Sequence, residues 1–285
     1  MSEDVIEYEK LIDKDSILSK NDLFNFYKKF NSDCEKFNHE VFCKNDLYND
    51  VAKKNVKDIL RKLMRNVNKL SEDNSEDYNN IDKGNYINKR CIYLKYWLYD
   101  IILANKIDES NISSLFDEWS HNKDKVTSNN LKCEIYKLSL SEIKDIKKLY
   151  DYFVFFDGYK FVKHIINEKI YNNRYLDYIK GAIDVYEKTE IECPERENTR
   201  GYCNEFNEYI KVYIDKTVLY SLKEKIMNED IVTLMGKTYE SKSALLKPLA
   251  KGVLEKKLSE NPNINRVKTK YFLKKTMKYN IYIFY

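Results

Sequence analysis

The residues Cys91-Ile-Tyr-Leu-Lys-Tyr-Trp-Leu-Tyr-Asp-Ile-Ile102 crowd together more large apolar side chains than any other stretch of this chain. Ile87, Cys91, Leu94, Leu98 and Ile101 recur at steps of four, three, four and three, the spacing of one helical face, while Tyr93, Tyr96, Trp97 and Tyr99 fill the flanks. A helix apolar over that much of its circumference has to be surrounded by other helices. The expectation is an all-α fold: an irregular multi-helix bundle around this central aromatic-rich helix.

Towards the N-terminus, Asn21-Asp22 offers an N-cap for a helix over 22–34 bearing Leu23, Tyr27, Phe30 and Cys34. After a connection containing His39, Asn45-Asp46 restarts a long amphipathic helix through Val56, Ile59, Leu60, Leu63, Val67 and Leu70. The acidic run Ser71 to Asn80 reads as a loop ending near Gly84. Towards the C-terminus, Ser110 is expected to cap a helix carrying Ile112, Leu115, Phe116 and Trp119, placed to pack on the central one, with a loop over 121–130. Ser139-Leu-Ser-Glu142 matches a capping box ahead of Ile143, Ile146, Tyr150 and Phe153, and Asp157-Gly158 reads as that helix's stop. Phe161 to Ile170 and Leu176 to Ile183 continue as one broken or two consecutive helices, the second weakened by Gly181. Glu192 to Cys203 reads as a stapled loop, with exposed chain over 188–202, after which Tyr209, Val212, Leu219, Leu222 and Ile226 sketch one more helix from Phe206. Beyond about residue 228 the pattern is interrupted by Pro248 and Pro262.

Six Gly and three Pro against 25 Tyr leave too few turn-formers for a β-sandwich or barrel. Lys plus Arg is 50 and Asp plus Glu is 46, a net +4, and the signs alternate along most segments as on solvated helix faces. A nucleic-acid partner is not expected, because such a protein gathers its cations into a stripe. Only Arg266 to Lys278 approaches one, and a solvated tail helix accounts for it. The acidic start Met1-Ser-Glu-Asp lacks the apolar core of a signal peptide, and no apolar run approaches the ~18 residues of a membrane span.

Motifs for chemistry are few. His39, His121 and His164 lie in separate segments. Asp117-Glu-Trp-Ser-His121 gathers a carboxylate, a hydroxyl and an imidazole, but neighbours along one helix rarely converge on a substrate, and a solvated helix end is the preferred reading. Met235-Gly-Lys-Thr238 imitates the end of a phosphate-binding loop whose required first glycine is Ile231 here. Asn111-Ile-Ser113 is a formal glycosylation sequon of the kind an Asn-rich chain generates by chance. The six cysteines, Cys34, Cys43, Cys91, Cys133, Cys193 and Cys203, contain no C-x-x-C pair, so zinc and thioredoxin-type sites are not indicated. Fifteen pairings are possible, and six reduced buried thiols are a further reading. Catalytic residues, cofactors and metals are all expected to be absent, and the chain is read as no enzyme.

Cys91-Ile-Tyr-Leu-Lys-Tyr-Trp-Leu-Tyr99, followed by Phe116-Asp-Glu-Trp119 and then Cys133, resembles the core signature of the Vir proteins of Plasmodium vivax, within the Plasmodium interspersed repeat superfamily of variant antigens. Tyr93, Leu94, Tyr96, Trp97, Leu98, Phe116 and Trp119 carry it. The early Cys34 and Cys43, and Cys193-Pro194 with Gly201-Tyr202-Cys203, keep the order of that family over about residues 1–210. The resemblance implies a non-catalytic variant antigen of the blood-stage parasite, exported to the infected red cell for antigenic variation, adhesion or immune evasion, with host proteins or antibodies as partners. An intracellular helical scaffold or interaction protein is the alternative.

Two regions follow: a Vir-like helical domain over 1–228, and a divergent or truncated tail over 229–285 that lacks the transmembrane helix many relatives carry. Arg61-Lys-Leu-Met-Arg65 holds the R-x-L core of a parasite export motif but ends in Arg where an acidic or amide residue belongs, so an amphipathic helix face is preferred. Cys34 with Cys43 and Cys193 with Cys203 would close short loops, leaving Cys91 with Cys133 to tie the central helix to the segment after Trp119.

Overall fold

Every side chain from Cys91 to Asp100 is buried, so the central helix is enclosed on all sides. The structure, a computed structural model, describes residues 22–34, 41–43, 54–71, 87–126, 133–159, 176–194 and 200–228. In chain order the helices are α1 (Asp22–Asn31), α2 (Lys54–Ser71), α3 (Ile87–Ala104), α4 (Glu109–Asn122), α5 (Leu140–Tyr159), α6 (Leu176–Glu192) and α7 (Gly201–Glu205). A π turn at Phe206–Ile210 follows, 3-10 turns occupy Val41–Cys43 and Lys123–Lys125, and residues 216–228 are helical. The described residues include no strand. The fold is all-α, an irregular bundle around an aromatic-rich helix, stapled by three bridges. The chain separates into two compact units, Met1–Leu219 and Tyr220–Tyr285. The Asn45-Asp46 helix start, most of the acidic loop, the segment 161–170, the Met235 and Arg266 motifs, His39 and His164 lie outside the described residues.

Helices α1, α2 and α5 pack directly on α3, α4 packs on α2, and α6 packs on α5. Ring pairs seat the first layer: Phe26 on Tyr93 at 5.9 Å, Phe30 on Trp97 at 6.1 Å and Tyr99 on Tyr150 at 5.9 Å between centroids. Helix α3 ends as the hydrogen-bond pattern of a Schellman motif requires. Lys106, at φ 51°, donates its N–H to the Leu103 carbonyl, and buried Ile107 donates to Ile102.

Helix α1 stops at Asn31, short of Cys34, and α2 shows why. The Arg65 guanidinium donates to the carbonyls of Ser32 (2.9 Å), Phe30 (3.1 Å) and Lys29 (3.3 Å), while Asn66 Nδ2 donates to Phe30 (3.0 Å). These side chains take up the carbonyls that a helix end leaves without partners, and the guanidinium sits at the negative end of the helix dipole.

Asp108, not Ser110, caps α4: from an extended backbone its carboxylate accepts the Asn111 N–H at 3.0 Å, and Ser110 Oγ donates to the same oxygen at 2.8 Å. An anionic cap also suits the positive end of the helix dipole. The helix runs through His121 to Asn122, so the irregular chain expected from 121 begins later. The capping box of α5 is present, with Ser139 N–H donating to Glu142 Oε2 at 2.9 Å and Glu142 N–H to Ser139 Oγ at 3.3 Å. Asp157-Gly158 does not stop α5, which continues to Tyr159.

Helix α6 passes straight through Gly181 and through residues 188–192, which the sequence suggested as loop. The single helix expected from Phe206 is instead the π turn, a bend that leaves Val212 exposed, and a restart where Asp215 Oδ1 accepts from Thr217 N (2.9 Å) and Val218 N (3.3 Å).

Candidate functional site

Lys95 and Asp100 break the apolar run of α3, and in an enclosed helix a charge has to find a partner within the core. Lys95 Nζ pairs with the Glu205 carboxylate of α7, both side chains being fully buried. Tyr150 of α5 donates its hydroxyl to Glu205 Oε1 at 2.6 Å, and the Tyr99 hydroxyl faces the same carboxylate without reaching hydrogen-bond geometry. The ring centroid of Tyr209 lies 3.3 Å from Lys95 Nζ and that of Tyr136 lies 5.3 Å away, so the cation is boxed by aromatic faces. Burial pushes the Lys95 ammonium below its ordinary range despite the Glu205 charge. Burial, together with that same charge, pushes the Tyr99 and Tyr150 hydroxyls well up.

A second buried cluster lies on another face of α3. Lys147 of α5 reaches Asp100 Oδ1 at 3.0 Å and Asp151 Oδ1 at 2.7 Å. Tyr96 donates to Asp151 at 2.9 Å, and Tyr27 of α1 donates to Asp100. Burial raises Asp151 against the pull of Lys147; burial would lower Lys147, but the two carboxylates raise it. The two clusters tie α3 to α1, α5 and α7 by directional bonds that only one register satisfies.

The outer wall of the Lys95 box is the segment 133–139, which is neither helix nor strand. Its Glu134 N–H donates to Tyr209 OH at 2.9 Å, Tyr136 OH donates to Glu208 at 2.8 Å, and Lys137 pairs with Asp117 at 2.6 Å. Gly201 begins α7 directly under this segment, where an added Cβ would lie 2.7 Å from the Lys137 carbonyl oxygen.

Three bridges staple the frame: Cys34–Cys43, Cys91–Cys133 and Cys193–Cys203, with Cα–Cα distances of 5.0, 5.4 and 5.1 Å. All six cysteines are buried. Of the signature residues, Tyr93, Leu94, Tyr96, Trp97 and Leu98 are fully buried on α3, while Phe116 and Trp119 are buried on α4, the helix that packs on α2.

Sequence reasoning passed over Lys95, Asp100, Lys147, Asp151 and Glu205. The available signal was the pair of charges inside the aromatic run of α3.

The local motifs do not converge on chemistry. Asp117 turns to Lys137, whose hydrogen bond holds its carboxyl below the usual range, and His121 Nδ1 contacts the Asp117 carbonyl at 2.7 Å. In the R-x-L segment, Arg61 donates to the Cys43 carbonyl at 2.6 Å and Leu63 is fully buried, so the motif is a packed helix face. Asn111 of the sequon is buried, its amide on Asp108. Among the described residues no group of three or more His, Cys, Asp or Glu is placed to hold a metal ion, and no helix is long and apolar enough to cross a membrane.

Fold, bridges and sealed charges define a disulfide-stapled helical domain. The family model described as Plasmodium vivax Vir protein matches residues 22–277, and the chain belongs to that family. Neither the curated proteins nor the solved structures compared with the chain include a match.

Proposed function

We propose that the chain is a non-catalytic variant antigen of the blood-stage parasite, exported to the infected red cell, where it serves antigenic variation, adhesion or immune evasion through contacts with antibodies or host proteins. The observation that carries this reading is the family match over residues 22–277. The architecture supports it. The cysteines and the aromatic signature are committed to a buried frame, so sequence change in the connections between helices leaves the core packing intact. The charged groups buried on α3, Lys95 and Asp100, are spent on Glu205 and Lys147, as in a scaffold and unlike a reaction centre.

Antibodies raised against the purified chain test the proposal on infected red cells with and without permeabilisation. Labelling of intact cells supports display at the surface. Labelling confined to permeabilised parasites would remove the export reading in favour of an internal helical scaffold.

A further inference from the structure

We propose that the Cys91–Cys133 bridge is a redox latch: it fastens the segment 133–139 as a strap over the Lys95–Glu205 pair, and its reduction opens that pair to solvent while the rest of the bundle stays folded. Cys91 and Lys95 stand one helical turn apart on the same face of α3. Across from them, Cys133 and Tyr136 stand three residues apart on a segment that is neither helix nor strand. The bridge therefore pins the strap immediately beside the place where the Tyr136 ring covers Lys95 Nζ.

Apart from the bridge, the strap is held by the burial of Ile135 and Leu138 and by polar ties nearer the surface. The Lys137–Asp117 and Lys123–Glu134 pairs lie at or near the surface, where solvent screening leaves such pairs weak. Single hydrogen bonds join Glu134 N to Tyr209 and Tyr136 OH to Glu208. The capping box at Ser139 fixes only the far end. Gly201 adds close packing under Lys137 but no bond. The wall behind the pair, formed by Tyr150 of α5 and Tyr99 of α3, does not depend on the bridge.

Cys133, at 6% exposure, is the least buried of the six cysteines. A dithiol reductant supplies two electrons and two protons, converts the bridge to two thiols and closes to its own cyclic disulfide. In an oxidising environment the strap is locked. In a reducing one, a lysine–glutamate pair lined by Tyr209 and backed by Tyr150 is uncovered.

Acylation of the full-length chain by an N-hydroxysuccinimide ester, mapped by peptide mass spectrometry, reads Lys95 access directly. Hydrogen exchange of the amides of Ile143 to Phe155 in α5 reports the fold in parallel. In Cys91→Ser/Cys133→Ser, Lys95 is expected to acylate at least about tenfold faster, with α5 protection retained. Tyr209→Phe keeps all three bridges and removes only the Glu134 tie, so Lys95 is expected to remain protected in it until a dithiol is added. Unchanged Lys95 protection in the double variant overturns the proposal, as does loss of α5 protection together with Lys95 opening. Acylation of oxidised Tyr209→Phe at the rate of the double variant overturns it too, because the latch would then be the hydrogen bond.

Discussion

Lys95 and Glu205, 110 residues apart in the chain, form an ion pair from which water is fully excluded. Desolvating two charges offsets most of their attraction, so such a pair acts on specificity more than on net stability, and losing one partner strands the other. Lys95→Met or Glu205→Gln is expected to cost about 3–5 kcal/mol each in urea unfolding. The double variant should cost clearly less than the sum, because neither charge is then stranded and the amide oxygen that replaces the carboxylate still accepts from Tyr150. Strict additivity would show that the two side chains do not interact.

The α5 capping box carries a pH dependence of definite sign. Burial alone would raise the Glu142 carboxyl, but the Ser139 N–H, Arg200 and the Ser139 hydroxyl hold it below the ordinary carboxylate range. Its folded pKa is thus below its unfolded value. The stabilisation it adds is complete above the unfolded pKa and is lost as pH falls through the folded one. Glu142→Gln is expected to flatten the acid limb of stability against pH, and Ser139→Ala to cost about 1 kcal/mol at neutral pH.

The fold class was legible because the aromatic run of α3 has only one way to be buried, and the S-x-x-E signature of α5 is a local device that tertiary contacts need not modify. Helix ends were less legible. Arg65 stops α1 from 33 residues downstream of Ser32, and no local pattern announces that. Asp108 outcompeted Ser110 as a cap through backbone geometry, and α7 with its π turn is shaped by the ties of Glu205 and Tyr209 to partners far away in sequence. The buried charges are non-local for the same reason. Lys95 and Asp100 show in sequence that partners must exist, but not that these are Glu205 and Lys147.

Two glycines should respond oppositely to alanine. At Gly181 the new methyl would meet only the Lys148 side chain, at 3.8 Å, so Gly181→Ala is expected to stabilise by about 0.5–1 kcal/mol through helix propensity. At Gly201 it would press on the Lys137 carbonyl oxygen at 2.7 Å, so Gly201→Ala should lower the melting temperature and loosen the strap. Equal melting temperatures for the two variants would mean that the 133–139 segment does not pass over Gly201.

We propose that residues 229–285 are peripheral to the helical domain, because two prolines interrupt their apolar pattern and they contain no cysteine. A chain ending at residue 228 is expected to melt in one cooperative transition with the helical circular dichroism of α1 to α7 retained. A broad, uncooperative melt would make the tail part of the core.

The three bridges should contribute unequally. In the chain-entropy view a bridge stabilises by restricting the unfolded chain, more for a longer loop. Cys91–Cys133 spans 42 residues against 9 for Cys34–Cys43 and 10 for Cys193–Cys203. The same relation gives about 4 kcal/mol for the long loop and about 2.6 for each short one. Peptide mapping of unreduced protein is expected to recover these three pairs, and serine replacement of each pair in turn to rank the losses in that order by urea unfolding. The short bridges also sit beside local hydrogen bonds. Cys43 presents its carbonyl to Arg61, and Cys193 presents its own to Asn207 at 3.5 Å, so their removal should act locally, on the entry to α2 and on the junction between α6 and α7. If all three replacements cost the same, loop entropy is not the source of the stabilisation; free thiols at all six positions would remove the stapled frame altogether.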